Sequence, residues 1–302
     1  MQTAPEPTRA PRPRPTRPAA RALLLALLAL PPLACAPSDG SKVATNAAAG
    51  TPTPAPAAPS TPAPSGVVKA PDKGDFKVAT REPDPDMTAE ERKDYEEELK
   101  SLQETADALN KSFSLPHDIY IGFDDCEEAN AFYDPEKKKV TVCYELAEDL
   151  YDAFKKDYKT DEQVDDAVTN ATTFVFYHEL GHALVDAYDL PVTGREEDAV
   201  DQLSVLLLAD GTDEGERMVL DAAVSFSKQS KGELDELAFA DEHSLDQQRY
   251  YNIICLLYGQ NEEKFASLVK DGTLPQARAE RCSEEYARVD KAWDALLAPY
   301  TK

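Results

Sequence analysis

The chain has 302 residues, with 57 acidic side chains against 32 Lys and Arg side chains, which gives a net charge of −25 at pH 7. Proteins that bind nucleic acid neutralise its phosphates with basic side chains, so an acidic excess of this size excludes that class of partner. The charge favours solubility and attracts cations or basic partners, but it identifies no substrate.

The N-terminus has the pattern of a secretory signal. Five arginines precede an apolar stretch at Ala22–Leu30, which is too short to span a membrane and is ended by prolines. Leu33-Ala34-Cys35 resembles the end of a bacterial lipobox, in which the cysteine carries lipid after cleavage, although Pro32 stands where an aliphatic residue is expected. We therefore predict that residues 1–35 are a lipoprotein-type signal peptide and that Cys35 is the lipid-attachment site. Ordinary cleavage and secretion is the alternative.

A linker is predicted at residues 36–85. This stretch is rich in Pro, Ala, Thr and Ser and has too few apolar groups to offset the entropy lost on ordering. Its prolines keep it extended. A lipid-anchored domain at residues 86–302 would therefore stand off the outer membrane or cell surface, with the lipid as its only membrane contact. Without the lipid the domain would be periplasmic or secreted.

The predicted domain opens with a helix and a small sheet. Thr88 and Glu91 have the spacing of a capping box, which predicts a helix that runs to about Asn110. Three strand-like runs follow, at residues 117–123, 129–133 and 139–144. The last two are joined by a turn at Asp134-Pro135-Glu136. Helices fill the rest of the chain, so we predict an α+β fold that is mostly helical with a small antiparallel sheet.

The next helix carries a metal-binding pattern. Apolar residues spaced three and four apart from Val164 to Val185 form one helical stripe that includes His178 and His182. Two histidines four residues apart lie on one helical face and can bind one zinc ion, while Glu179 is placed to act as general base. The alternative is that both histidines are polar members of a partly buried helix. Gly181 would let another element approach this face closely.

A third ligand is predicted on the helix after a break at Leu190-Pro191. Thr193 and Glu196 have capping-box spacing, so we expect the helix to begin there and Glu196 to bond back to the Thr193 amide. Glu197 is then the better third zinc ligand. Asp201, one turn further, is placed to hydrogen-bond the far nitrogen of a ligating histidine. Glu196 and Asp201 are the alternative third ligands. These acidic residues could also be only solvent-exposed residues that the helix dipole favours at the N-terminus of the helix.

His243 is the candidate for a further catalytic role. It lies between acidic neighbours, just before a predicted helix at Asp246–Tyr258. A metallopeptidase needs a hydrogen-bond donor to the oxyanion of its tetrahedral intermediate. His243 is our first candidate for this donor, and Arg249 and Tyr177 are the next candidates. A surface loop histidine is the alternative. His117, just before a strand, is interpreted as structural.

Four cysteines lie in the predicted domain. An even number in an exported protein suggests two disulfides. The favoured pairs each flank one local unit of the chain, and they are Cys126 with Cys143 and Cys255 with Cys282. A zinc site made of cysteines is the competing use, but no C-x-x-C spacing is present.

The motifs also resemble known proteins. YHELGHALVD, followed by the helix with Glu197 and Asp201, resembles the gluzincin branch of the zincin metallopeptidases, in which two His and one Glu bind zinc. A poorly characterised bacterial metallopeptidase family is the closer resemblance, from about residue 88 to the C-terminus. The resemblance of this chain to that family rests on YHELGHALVD together with NAFYDP, VCYEL, LPVTGREEDAVDQ, DEHSLDQQRYYNIICLLYG and LPQARAERC.

The resemblance implies a zincin-like fold with the His178–His182 motif on its central helix, a Zn²⁺ cofactor and hydrolysis of peptide bonds. One strand of the predicted hairpin would then be the sheet edge on which a peptide lies, although a simple disulfide-stapled hairpin fits the sequence equally well. The sequence thus predicts a cell-envelope zinc peptidase that acts on a peptide or protein substrate, with Glu179 as general base. The alternatives are a catalytically silent zinc-binding lipoprotein and a zinc amidase of cell-wall material.

Overall fold

The computed structural model of the protein describes residues 67–80, 83, 85–229 and 239–302. The strands are β1 (Phe76–Val78), β2 (Ile119–Asp124), β3 (Ala131–Asp134) and β4 (Lys139–Cys143). The helices are α1 (Ala89–Ser112), α2 (Tyr144–Phe154), α3 (Asp161–Tyr188), α4 (Glu196–Leu208), α5 (Asp213–Gln229), α6 (Asp246–Gln260), α7 (Ala266–Lys270), α8 (Gln276–Ala279) and α9 (Cys282–Leu297). This composition confirms the predicted α+β class.

The sheet is mixed, and the prediction of an antiparallel sheet is therefore wrong in part. Its strand order is β1-β2-β4-β3, with β1 and β4 both parallel to β2. Only the hairpin of β3 and β4 is antiparallel, as its turn predicted. The direction in which β2 pairs depends on long-range contacts, which an apolar run does not specify. The order places β3 at one edge of the sheet.

The predicted linker ends earlier than residue 85, because β1 lies inside that range. Phe76 is 1% exposed in the core. Its backbone N–H donates to Asn110 Oδ1 over 2.7 Å, and Asn110 Nδ2 donates to Phe76 O over 3.0 Å. Three residues are too few to stand out in a Pro-rich composition. The predicted signal peptide, Cys35 and residues 36–66 of the predicted linker lie outside the described residues.

α1 begins as its sequence predicts. The Glu91 N–H donates to Thr88 Oγ1 over 3.2 Å, and the Thr88 N–H donates to Glu91 Oε2 over 2.7 Å, so both bonds of the capping box are present. These two bonds satisfy N–H groups that the first turn of a helix leaves without partners. The helix ends at Ser112, close to the predicted end at Asn110.

α3 is the helix around which the site is built. It is buried along most of its length and packs against the hairpin strands β3 and β4 and against the helices α2, α4 and α5. Thr160 caps its start through a bond from Gln163 N, and Asp189 ends it with a left-handed φ of 51°. Val164 and Val185, the first and last residues of the predicted apolar stripe, are both buried.

Both predicted disulfides are present. Cys126–Cys143 ties the loop after β2 to the end of β4, and Cys255–Cys282 joins α6 to α9. At the Cys255–Cys282 disulfide, α6 and α9 lie so close that a Cβ on Gly259 would be 2.3 Å from the carbonyl oxygen of Cys282. Among the described residues, no helix combines the length and apolarity needed to cross a membrane.

Candidate metal centre

A close contact between two helices brings the metal-binding groups together. A Cβ on Gly181 would lie 2.7 Å from Val200 Cβ, so α3 and α4 approach each other through the space that the missing side chain leaves. This is the role predicted for Gly181. The approach carries Glu197, at the start of α4, over the face of α3 that bears His178 and His182.

α4 begins two residues later than the predicted capping box requires. Its N-cap is Arg195, and Glu196 is its first residue. Glu196 does not turn back to Thr193 but accepts from His182 Nδ1 over 2.8 Å, so the predicted role of Glu196 is wrong. The physical reason is competition: a carboxylate beside an imidazole gains a charge-assisted bond, which is stronger than one to a neutral amide.

Glu197 is the centre of the cluster. Its Oε2 lies 3.0 Å from His178 Nε2 and 3.0 Å from His243 Nε2. Its Oε1 lies 3.3 Å from His182 Nε2. Three imidazoles therefore direct the same ring nitrogen at one carboxylate, and His243 lies among the predicted zinc ligands rather than apart from them.

Each imidazole also meets a second carboxylate at its other nitrogen. Since an ionised carboxylate only accepts, Nδ1 is the donor in all three bonds. The acceptors are Asp201 Oδ1 at 2.8 Å from His178, Glu196 Oε1 at 2.8 Å from His182 and Asp241 Oδ1 at 3.0 Å from His243. Carboxylates in this position fix the tautomer of metal-binding histidines. Asp201 therefore lies where its predicted role requires.

Asp201 is itself held by Arg249. Arg249 Nε donates to Asp201 Oδ2 and Nη2 to Asp201 Oδ1, each over 2.8 Å. The guanidinium lies 4.0 Å from the centre of the Phe226 ring, an arrangement that supports a cation on an aromatic face. Burial raises the pKa of Asp201, but Arg249 and His178 outweigh it and lower that pKa to about 2. The carboxylate beside His178 is thus ionised at neutral pH.

Two carboxylates around each ring keep the imidazoles protonated in the metal-free site. Burial lowers the pKa of His182, but hydrogen bonds to Glu197 and Glu196 raise it overall to about 9. The bond to Glu197 is the main cause that raises the pKa of His243 to about 8. Burial opposes ionisation of Glu197, yet the surrounding imidazoles hold its pKa far below the usual range.

Glu179 lies between the histidines and the sheet edge. It is 8% exposed, and burial is the main cause that raises its pKa, against the opposing effect of the two neighbouring histidines. The backbone N–H of Tyr133, in β3, faces its carboxylate and acts to lower that pKa. A carboxylate with a raised pKa is better matched to accepting a proton near neutral pH.

These groups line an open cleft of about 980 Å³. Its walls include the edge strand β3, the motif face of α3, the start of α4 and the loop that carries His243. Arg249 also lines the cleft, and its Nε and Nη2 donate to Asp201. Tyr177, the other residue considered as an oxyanion donor, is 2% exposed in the core, where burial raises its pKa, and it does not line the cleft. His117 bonds at Nδ1 to Asp118 O, a local contact consistent with a structural role.

The donor set fits a metal ion. Ligand atoms of His178, Glu197 and His243 all lie within 4.8 Å of one another. Imidazole nitrogen together with carboxylate oxygen is a donor combination that zinc sites use. Cys126, Cys143 and Glu145 form a second close group, but there the two sulfur atoms are joined as a disulfide.

The groups that hold His243 in place come from a distant part of the chain. Arg195 Nη1 donates to His243 O over 2.9 Å, with longer contacts to the carbonyls of Asp241 and Glu242. Ser244 Oγ donates to Asp198 Oδ1 over 2.6 Å. These contacts link residues more than forty apart in the chain, and no local spacing signals them.

Comparisons with known proteins agree with this geometry. A family model described as "Putative metallopeptidase" matches residues 83–297, which include every residue of the site. Searches of curated proteins and of solved structures find no significant match. The family model covers more than half of the chain, and the chain therefore belongs to this metallopeptidase family.

Proposed function

We propose that this protein is a zinc-dependent peptidase with a zincin-like fold, in which His178, His182 and Glu197 bind the ion. The observation that carries the proposal is the convergence of the imidazole nitrogens on one Glu197 carboxylate, at 3.0 to 3.3 Å. Imidazole nitrogens gathered on one carboxylate are the donor combination that would hold a zinc ion.

A bound zinc ion supplies an activated water and polarises the scissile carbonyl. Glu179 takes the proton from the attacking water and delivers it to the leaving amine, the two halves of general acid–base catalysis. Its burial and its raised pKa support this role. Asp201, fixed by Arg249, keeps Nε2 of His178 directed at Glu197, where the ion would be held.

The edge strand β3 is the proposed binding site of the peptide backbone. Cys143 N donates to Asn130 O, and in an antiparallel pair the residues that bond to the partner strand alternate with residues that do not. Ala131 and Tyr133 therefore turn their backbone groups away from β4, toward the cleft. An extended peptide can pair with such an edge. The Tyr133 N–H that faces Glu179 belongs to this same edge.

The cell-envelope location belongs to the proposal as well. It is supported by the arginine-rich apolar N-terminus, by Cys35 in a lipobox-like setting and by two disulfides, which are typical of exported proteins. Labelling of the expressed protein with a radioactive fatty acid tests it. Cys35→Ser should abolish the label, and a label that persists in this variant would disprove attachment at Cys35.

The test of catalysis is Glu179→Gln, with zinc content and peptide cleavage measured on the same samples. Zinc should stay bound while cleavage of a peptide library falls by at least about 100-fold, the scale of a general-base contribution. Glu148→Gln, an exposed glutamate on α2, is the matched control and should keep full activity. Full activity in Glu179→Gln would refute the mechanism. Zinc-loaded wild type that cleaves only cell-wall fragments would select an amidase, and one that cleaves nothing would select a silent zinc protein.

A further inference from the structure

We propose that His243 binds the metal ion directly, as a fourth protein ligand beside His178, His182 and Glu197. This inference rests on the proposed metal site and reaches beyond it, because it assigns to the metal a residue outside the helix pair α3 and α4. His243 precedes α6, in a loop that the sequence places sixty-one residues after His182.

Position is the first argument. His243 Nε2 lies 3.0 Å from Glu197 Oε2, the oxygen atom that is also 3.0 Å from His178 Nε2. The rings of His178 and His243 are stacked at 6.1 Å between centroids with an interplanar angle of 23°. The two ring nitrogens thus approach the same oxygen atom from neighbouring directions, and the ligand atoms of His178, Glu197 and His243 lie within 4.8 Å of one another, so all three could hold one ion.

The tautomer is the second argument. Asp241 Oδ1 accepts from His243 Nδ1 over 3.0 Å and from the His243 backbone N–H over 2.8 Å. With the Nδ1 proton held by Asp241, a ring that gives up its Nε2 proton presents a lone pair at Nε2, the form in which an imidazole binds a metal. The local structure therefore orients His243 as a metal ligand must be oriented.

Anchoring is the third argument. Arg195 holds the carbonyl of His243, and Asp198 accepts from the Ser244 hydroxyl. Arg195 and Asp198 flank Glu197 in the sequence, so the first turn of α4 fixes both the Glu197 carboxylate and the His243 loop. A ligand held by the same turn as another ligand loses little conformational freedom when the metal binds.

Four protein ligands would complete a tetrahedral shell, so water or substrate would enter by expansion to five ligands or by release of one ligand. His243 is the most exposed of the four, with 41% of its side chain accessible against 17% or less for the others. It is therefore the ligand at which the shell opens most readily.

The experiment compares metal affinity in the full mature chain, since affinity reports ligands independently of activity. Zn²⁺ and Co²⁺ dissociation constants are measured by chelator competition for wild type, His243→Ala, Asp241→Asn and the control His117→Ala. Loss of an outer carboxylate typically costs about 10 to 100-fold in affinity. We expect a loss of that size for Asp241→Asn, a larger loss for His243→Ala with a changed Co²⁺ absorption spectrum, and no change for His117→Ala.

The outcomes separate the two proposals. If wild type binds zinc tightly while His243→Ala keeps both the affinity and the Co²⁺ spectrum, His243 is not a ligand and the three-ligand site stands. If wild type binds no zinc, the proposed function fails and this inference fails with it. Circular dichroism confirms that each variant is folded, and Asp241→Asn gives an independent reading because it leaves the imidazole in place.

Discussion

Arg249 holds both carboxylate oxygens of Asp201, with Nε on Oδ2 and Nη2 on Oδ1, each over 2.8 Å. Both side chains are nearly buried, at 11% and 8% exposure. Removal of one partner from a buried pair costs about 3–5 kcal/mol when the other charge is left without compensation, and Asp201 would keep its bond from His178, so we expect a cost at the lower end of this range. Arg249→Met, which keeps an apolar stem over the Phe226 ring, should therefore lower the free energy of unfolding by that amount in urea denaturation.

A surface pair provides the control for this prediction. Arg288 and Glu284 are 75% and 73% exposed, and solvent screens such a pair. Arg288→Met should change the free energy of unfolding by no more than about 0.5 kcal/mol. Equal effects of the two substitutions would show that Asp201 does not depend on Arg249.

Gly181→Ala tests the contact that positions Glu197. The new Cβ would lie 2.7 Å from Val200 Cβ and 2.9 Å from its Cγ1. Because a Cβ is bonded directly to the backbone, rotation of the Val200 side chain cannot relieve the first of these contacts. Overpacking of this kind costs about 1–3 kcal/mol, against a gain of about 1 kcal/mol in helix propensity. We expect a net loss of stability, and weaker zinc binding because α4 is pushed away from α3.

Gly194→Ala is the matched substitution, since a Cβ at Gly194 meets nothing within 4 Å. It should leave both the urea midpoint and the zinc dissociation constant unchanged. If Gly181→Ala behaved in the same way, the close approach of the two helices would not be what sets the position of Glu197.

Those features of the site and the fold that depend on residues close together in the chain can be predicted from the sequence. The spacing of His178 and His182 on one helical face, and the capping box of Thr88 with Glu91, both depend on residues within one turn of each other. The same capping rule fails at Thr193 and Glu196 because His182, on another helix, competes for the Glu196 carboxylate. A local pattern cannot include a competitor that only the tertiary structure brings near.

Long-range pairing explains the remaining differences. β1 is a three-residue strand inside a Pro-rich stretch, and the parallel pairing of β2 with both β1 and β4 makes the sheet mixed rather than antiparallel. The contact of Arg195 with the His243 loop likewise has no counterpart in local spacing. The disulfides were predictable because each pair flanks a single unit of the chain.

The Cys255–Cys282 disulfide should contribute strongly to stability. It closes a loop of 27 residues between α6 and α9, and the loss of chain entropy in the unfolded state for this length corresponds to about 3–4 kcal/mol. The double variant Cys255→Ala with Cys282→Ala should lower the free energy of unfolding by about that amount. Dithiothreitol should lower the thermal midpoint of wild type more than that of the variant, and equal shifts would contradict the prediction.

The metal-free protein should lose stability as the pH rises above about 6.5. His182 and His243 have folded-state pKa values of about 9 and about 8, both raised above the ordinary 6.5. A raised pKa means that the folded state binds the proton more tightly, so this stabilisation is complete below pH 6.5. It is lost as the pH rises through 8 and then 9. Thermal unfolding with a chelator, measured from pH 6 to pH 9, should show a falling midpoint.

Zinc should reverse the trend, because the ion needs neutral imidazoles and displaces their Nε2 protons. Binding at pH 7 is expected to release the Nε2 protons of the imidazoles that bind the ion, and the stabilisation by zinc should grow from pH 6 to pH 9. The midpoint difference between zinc-loaded and chelator-treated samples measures this directly. A difference that stays constant over the range would mean that the ion does not replace protons on His182 and His243, and the placement of the metal among these rings would then be wrong.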